Sequence, residues 1–328
     1  MILITGAAGF IGSCMAVSLR MRGYSSLVLA DDFGRADKSP NLTGLEGCLR
    51  VSRDELAAWL AAHAGTLSAC IHLGARTDTA EADEAVFDRL NVSYSQMIWQ
   101  VCARAGIPLI YASSAATYGD GSQGFDDDPA LIPSLRPLNA YGRSKHLFDK
   151  WALTQAEAPP RWAGLKFFNV YGPNEYHKGR MASVIFHAAR QIRDTGRLRL
   201  FRSHRPDYPD GGQMRDFIYV QDLLDVIAWM LAHPFPSGIY NLGTGQARTF
   251  YDLALSVFEG MEVPPVIEYI DIPADIRSSY QYYTQARMDR LRTVAGYPGH
   301  FTPLEAGVRT YVQAFLRPAK GYAGILAE

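Results

Sequence analysis

Short apolar runs, each ending in glycine or in polar residues and followed by a helical period, recur along the first half of the chain. Ile2-Leu3-Ile4 runs into a turn with glycine at 6, 9 and 12, and Ser13 to Arg22 then carries helical spacing. Ser26-Leu27-Val28-Leu29-Ala30 ends in Asp31-Asp32, and Ser68 to Ala75 is a second apolar run into a glycine. Glu84 to Arg104 has helical spacing again, and Leu109 to Ser114 is predicted as the fourth strand. Strands alternating with helices in this order predict an α/β fold, a doubly wound parallel sheet with helices on both faces.

After a further strand over Ala163 to Phe168, which Asn169 to Pro173 ends, the pattern breaks. A polar loop from Asn174 to Arg180 leads into a helix predicted from about Ala182 to Arg193. This predicts a dinucleotide-binding domain over 1–170, with returns at about 215–245. A smaller α/β substrate lobe takes 171–214 and 246–328.

The first glycine turn carries the first chemistry. Gly6, Gly9 and Gly12 follow a strand and open a helix, the arrangement in which backbone amides approach a pyrophosphate. Asp31 stands nineteen residues beyond Gly12 (31 − 12), near the spacing at which an acid meets the adenosine ribose. A carboxylate there favours NAD by repelling a 2′-phosphate. Arg35, Lys38 and Arg53 follow, and they are either a solvated face or a positive ring around the adenosine end.

A second candidate is Tyr141-Gly142-Arg143-Ser144-Lys145, in a helix predicted to begin near Asn139-Ala140. One turn separates the phenol from the ammonium, so both lie on one face, and the lysine charge favours the phenolate. Such a pair is proton-transfer machinery beside a redox cofactor, although the motif alone is common on exposed helices. Ser113 and Ser114 end a strand where ligands of such sheets bind, and capping the strand end is their alternative role.

Composition narrows the class. The 328 residues carry a formal charge of -1, with no basic stripe for nucleic acid and no apolar run long enough for a bilayer. The four cysteines (Cys14, Cys48, Cys70 and Cys102) form no C-x-x-C pair and read as small buried hydrophobes in a reducing compartment. Met1 runs straight into a strand, so no signal peptide is expected and the cytoplasm is the expected location. The eight histidines show no pair at metal spacing, and no metal site is expected. His72 and His187 fall on apolar faces and read as satisfied core histidines.

Taken together, these residues resemble the extended short-chain dehydrogenase/reductase family along nearly the whole chain. The resemblance rests on Thr5-Gly6-x-x-Gly9-x-x-Gly12, Ser113-Ser114-Ala115-Ala116-Thr117-Tyr118-Gly119 and Tyr141-x-x-x-Lys145. It rests further on Asn169-Val170-Tyr171-Gly172-Pro173, Arg215-Asp216-Phe217-Ile218-Tyr219-Val220 and Asn241-Leu242-Gly243-Thr244-Gly245. It implies a Rossmann-type lobe, a smaller lobe for a nucleotide-sugar substrate, a homo-oligomer, and NADP as cofactor with NAD possible.

The stretch His177 to His187, with Tyr280-Gln281-x-x-Thr284-Gln285-Ala286, is similar to an epimerase branch of that family. By that resemblance Tyr141 and Lys178 are the catalytic acid/bases, Ser114 the helper and Lys145 the residue that orients the ribose. Cofactor contacts carry over to Gly6, Gly9, Phe10, Ile11, Gly12, Asp31, Asp32, Lys38, Arg53, Leu73, Ala75, Asn91, Tyr141, Lys145 and Val170. Substrate contacts carry over to Ser114, Asn169, Arg180, His187, Phe201, His204, Arg215 and Tyr280. Leu73, Asp32 and Arg180 depart from the residues common at those positions. A C4 epimerase, a 4,6-dehydratase and a non-catalytic dinucleotide sensor are the other readings. A dehydratase usually carries Asp-Glu where Ala115-Ala116 follow Ser114 here.

Overall fold

The computed structural model describes residues 1–79, 81, 83–277, 280–318 and 321–324. Of the expected substrate lobe, positions 278, 279, 319, 320 and 325–328 lie outside the described residues. The first strands are β1 (Ile2–Thr5), β2 (Leu27–Asp31), β3 (Leu49–Ser52), β4 (Ala69–His72), β5 (Leu109–Ser114) and β6 (Trp162–Phe167). They continue with β7 (Asn169–Tyr171), β8 (Leu198–Phe201), β9 (Met214–Tyr219), β10 (Gly238–Leu242), β11 (Ala247–Thr249) and β12 (Ile267–Ile270).

Seven strands form one sheet in the order β10-β6-β5-β4-β1-β2-β3, every pair parallel. Strand alternation divides their side chains between two cores. Ile2, Ile4, Leu27, Leu29 and Ile71 face one side with Met15 and Leu223. Leu3, Val28, Cys70, Leu109 and Tyr111 face the other with Trp99 and Phe148. A sheet covered on both faces needs apolar residues at successive positions, which is why β1, β2 and β4 read as unbroken apolar runs.

Strand β3 was not foreseen, so Leu109–Ser114 is the fifth strand in chain order rather than the fourth. At the sheet edge, Leu49 and Arg50 are exposed and only Val51 is buried, so no apolar run marks the strand. Asn169–Tyr171 does not merely end β6 but pairs in parallel with β9 in a three-stranded sheet, β11-β9-β7. Met214–Tyr219 therefore lies outside the large sheet, whereas Gly238–Leu242 pairs with β6 inside it.

A third core gathers Tyr171, Ile185, Ala189, Leu198, Leu200, Phe217, Leu253, Val308 and Tyr311. The segment expected as a polar loop starts buried: Asn174 and Glu175 are fully enclosed. Asn174 has φ 72°, donates from Nδ2 to Ser13 Oγ at 2.8 Å and accepts at Oδ1 from the Ala323 amide at 2.9 Å. These bonds bolt the segment onto the helix Phe10–Met21. Among the described residues no helix is long and apolar enough to cross a membrane.

Candidate active site

Strand order reverses between β1 and β4, and the crevice at their carboxyl ends is where ligands of such sheets bind. Here the glycine turn packs tightly on the strand ends. A Cβ on Gly6, whose φ is 67°, would meet Gly74 Cα at 2.7 Å, and one on Gly12 would lie 2.1 Å from Gly6 O. The helix Phe10–Met21 starts at Gly9 with no side-chain cap, so its first amides are left for an anion.

A cavity of about 500 Å³ opens over this turn. Gly6, Gly9, Phe10, Ile11, Gly12, Asp31, Asp32, Lys38, Arg53, Leu73, Ala75 and Lys178 all line it. Asp31 Oδ2 accepts from the Ala8 amide at 2.8 Å, and Oδ1 accepts from Lys38 Nζ at 2.9 Å. Arg53 stands 3.8 Å from Asp32. A glycine cradle, an uncapped helix start, an acid at the end of β2 and cations beyond it fit a dinucleotide whose pyrophosphate sits on the turn.

Tyr141, Lys145 and Ser114 are not among the residues that line this cavity; they gather at the end of β5 and in the first turns of the helix Ala140–Leu153. The helix Ala140–Leu153 starts where Asn139 Oδ1 accepts from the Gly142 amide at 2.8 Å. The Ser114 side chain lies close enough to Tyr141 to favour its phenolate, and Lys145 Nζ donates to Ala112 O at 2.8 Å. Ser114 also caps its strand end, accepting from the Ala116 amide at 3.1 Å.

Burial pushes Lys145 down to about 8, with the nearby Asp149 charge opposing it. Burial pushes the Tyr141 phenol up, opposed by the nearby Ser114 side chain. The expectation that Lys145 lowers the phenol is therefore not met in the protein alone. Desolvation dominates the phenol, and the ammonium is spent on a carbonyl of β5.

Lys178 lies in the turn Tyr176–Met181, its Nζ 5.5 Å from the centre of the Phe10 ring. Burial lowers its pKa while the buried Glu175 carboxylate opposes the shift. Asn41 braces this turn. Its Nδ2 lies 3.0 Å from Ala8 O, 3.0 Å from Asn174 O and 3.2 Å from His177 Nδ1.

The remaining expected contacts divide. Phe201, Arg215 and Tyr280 come together: the two rings meet edge to face at 5.8 Å, and the guanidinium lies 5.6 Å from the Tyr280 ring centre. His204 is exposed beside them, its amide donating to Tyr282 Oη at 2.9 Å. Asn91 is buried on Arg76 and Ser144, while Arg180 reaches Asp78 at 2.8 Å. Asn169 is exposed and Val170 half-buried on β7. His72 is satisfied by Thr5 and Ser95, but His187 is not the satisfied core histidine expected, because its buried Nε2 has no partner.

Sequence reasoning missed Asn41, Arg76, Tyr94 and Met181. The last three line the cavity, and Tyr94 presents a buried hydroxyl with no partner. Nothing in periodicity marks them, since each reaches the site from a turn or helix end.

The family model described as the NAD dependent epimerase/dehydratase family matches residues 2–243. An ADP-L-glycero-D-manno-heptose-6-epimerase of Nitratidesulfovibrio vulgaris strain DP4 is 48% identical over 322 residues, covering 97% of this chain and 99% of that one. The crystal structure of the Helicobacter pylori ADP-L-glycero-D-manno-heptose-6-epimerase superposes with a TM-score of 0.80 at 26% identity, covering 95% of each chain. MoeE5 in complex with UDP-glucuronic acid and NAD gives 0.74 at 26% identity, over 95% of this chain and 97% of that one. With the glycine cradle, the acid-tipped β2 and the Ser114, Tyr141 and Lys145 cluster, these matches place the chain in the NAD dependent epimerase/dehydratase family, whose cofactor is a nicotinamide dinucleotide.

Proposed function

We propose that the chain is an isomerase that inverts C6 of an ADP-glycero-manno-heptose through a transient 6-keto stage, supplying heptose for a lipopolysaccharide core. NADP is its cofactor, with NAD as the alternative. The observation that carries the reading is the pairing of the near-full-length 48% identity with a half-buried lysine, Lys178, held against the first residue of the glycine-turn helix. Residues 1–170 with the later return to the large sheet hold most of the dinucleotide, the turn that carries Lys178 closes over it, and the remainder with Arg215 binds the sugar nucleotide.

A carbinol C–H is far too weak an acid for direct proton removal, so inversion needs oxidation first. A bound nicotinamide supplies that reversible two-electron oxidation. Tyr141 takes the proton of the C6 hydroxyl, Ser114 holds the oxygen in line, and Lys145 favours the phenolate once its ammonium faces the ribose. The ketone must then present its other face, which puts its oxygen elsewhere in the site. Lys178 returns the proton there, its ammonium lowered by burial and held up by Glu175. Phe201, Arg215 and Tyr280 form the platform for the nucleotide.

Lys38 and Arg53, with Arg35 beside them on the cavity wall, support the phosphorylated cofactor. The test of the whole reading is epimerisation in heavy water. Product without deuterium at C6 is expected, with no net cofactor consumed. Deuterium at C6 in proportion to turnover would overturn it.

A further inference from the structure

Tyr141, Lys145 and Asp149 follow one another at four-residue steps along one face of the helix Ala140–Leu153. Asp149 is fully buried and does not touch the cavity. Its Oδ2 accepts from Lys166 Nζ at 2.6 Å and from Ser113 Oγ at 2.7 Å, and its Oδ1 accepts from Tyr111 Oη at 3.1 Å. Lys166, also fully buried, donates to Thr117 Oγ1 at 2.7 Å and lies 5.2 Å from the Tyr118 ring centre. Thr117 Oγ1 in turn donates to Ser114 O at 2.8 Å. An unbroken chain of hydrogen bonds thus joins the helix that carries Tyr141 and Lys145 to the backbone of Ser114.

A buried ion pair is a weak source of stability, because desolvation offsets most of the attraction and an apolar pair of equal volume would serve as well. We propose that the Asp149 and Lys166 pair is a positioning device that fixes Ser114 against Tyr141 and Lys145 and keeps the Lys145 amine charged. This rests on the reading of those three residues as the acid/base cluster.

The charged and titratable groups around the cluster support it. His72 on β4, Tyr111 on β5, Lys166 on β6, Tyr118 in the turn after β5 and His146 on the same helix all surround Asp149 or Lys145. Among them Asp149 is the group that raises Lys145 against its burial. His72 is pushed down to about 3, so it is neutral at working pH and supplies no competing charge.

The test uses the full-length protein without substrate. Nitrogen-15 NMR of lysine-labelled protein follows the Lys145 titration in wild type, Asp149→Asn, Lys166→Arg and the double variant Asp149→Asn/Lys166→Gln. Asp149→Asn is expected to lower the Lys145 midpoint by about half a unit or more, and to move the alkaline limb of the kcat profile to lower pH by the same amount. The double variant leaves no uncompensated buried charge, so it keeps the test open should the single variant not fold, and it moves the midpoint in the same direction. Lys166→Arg, which keeps the charge, restores the wild-type midpoint. A lower melting temperature with an unmoved Lys145 midpoint would reduce the pair to a packing element and overturn the proposal. Failure of the wild type to epimerise any heptose nucleotide would sink the functional reading instead, and leave the titration standing.

Discussion

Lys178 rests on the face of Phe10, its Nζ 5.5 Å from the ring centre, so the candidate second acid/base touches the first residue of the glycine-turn helix. Lys178→Met keeps the aliphatic stem and that contact while removing the ammonium. Turnover is expected to fall about 100-fold or more, with dinucleotide affinity changed less than about threefold. Stopped-flow turnover and a fluorescence titration check the two halves. Retained turnover would make Lys178 a point charge for the pyrophosphate.

Tyr141→Phe deletes only the phenol oxygen that lies beside Ser114. Folding and dinucleotide binding are expected to survive. The rate should fall by more than about 100-fold, roughly 3 kcal/mol in the barrier. Epimerisation within about tenfold of wild type would remove the phenol from the mechanism.

At the adenosine end, Lys38 is tied to Asp31 at 2.9 Å and Arg53 stands 3.8 Å from Asp32. Replacing both cations by alanine leaves the acids with less opposing charge, so a 2′-phosphate meets net repulsion. NADP should weaken at least about tenfold more than NAD, a difference of about 1.4 kcal/mol. Equal losses for the two dinucleotides would show that these cations do not read the phosphate.

Acid lability follows from buried histidines. Burial pushes His72 down to about 3, and His146 and His177 down to about 4. The unfolded chain binds those protons near pH 6.5, whereas the folded chain refuses them until lower pH. Their share of stability is therefore lost as pH falls from 6.5 towards 3. Asp127, pushed up to about 6 by burial, works the other way below that pH, as do Glu175, Asp216 and Asp222, whose carboxyls burial also raises, so the histidine share is read from the His72 variant. His72 alone should cost about 2 kcal/mol between pH 6.5 and 5. Urea unfolding at pH 7 and pH 5 should show a smaller drop for His72→Gln than for wild type. An equal drop would show that His72 titrates freely.

What was legible in the sequence was whatever had a period or a fixed spacing. The two-faced burial of β1, β2 and β4 demanded apolar residues at consecutive positions, so those strands were readable. The one-turn step from Tyr141 to Lys145 needed only a helix, and Asn139 supplies its cap. By contrast β3 is an edge strand with half its side chains in water, and no period announces it. Asn41 and Tyr94 act through where the chain happens to pass, Asn41 bracing the Lys178 turn and Tyr94 presenting its hydroxyl at the cavity wall. The Tyr141 phenol was misjudged because local spacing reports a neighbouring charge and says nothing of desolvation.

The buried, left-handed Asn174 bears on which substitutions this chain can absorb. A left-handed backbone narrows the candidates to glycine, asparagine and aspartate. Glycine has neither the amide that reaches Ser13 nor the oxygen that receives the Ala323 amide. Aspartate keeps the acceptor but carries a negative charge into a fully enclosed site beside Glu175. Three independent demands thus meet on one side chain, and drift at position 174 is closed even though no reacting atom is touched there.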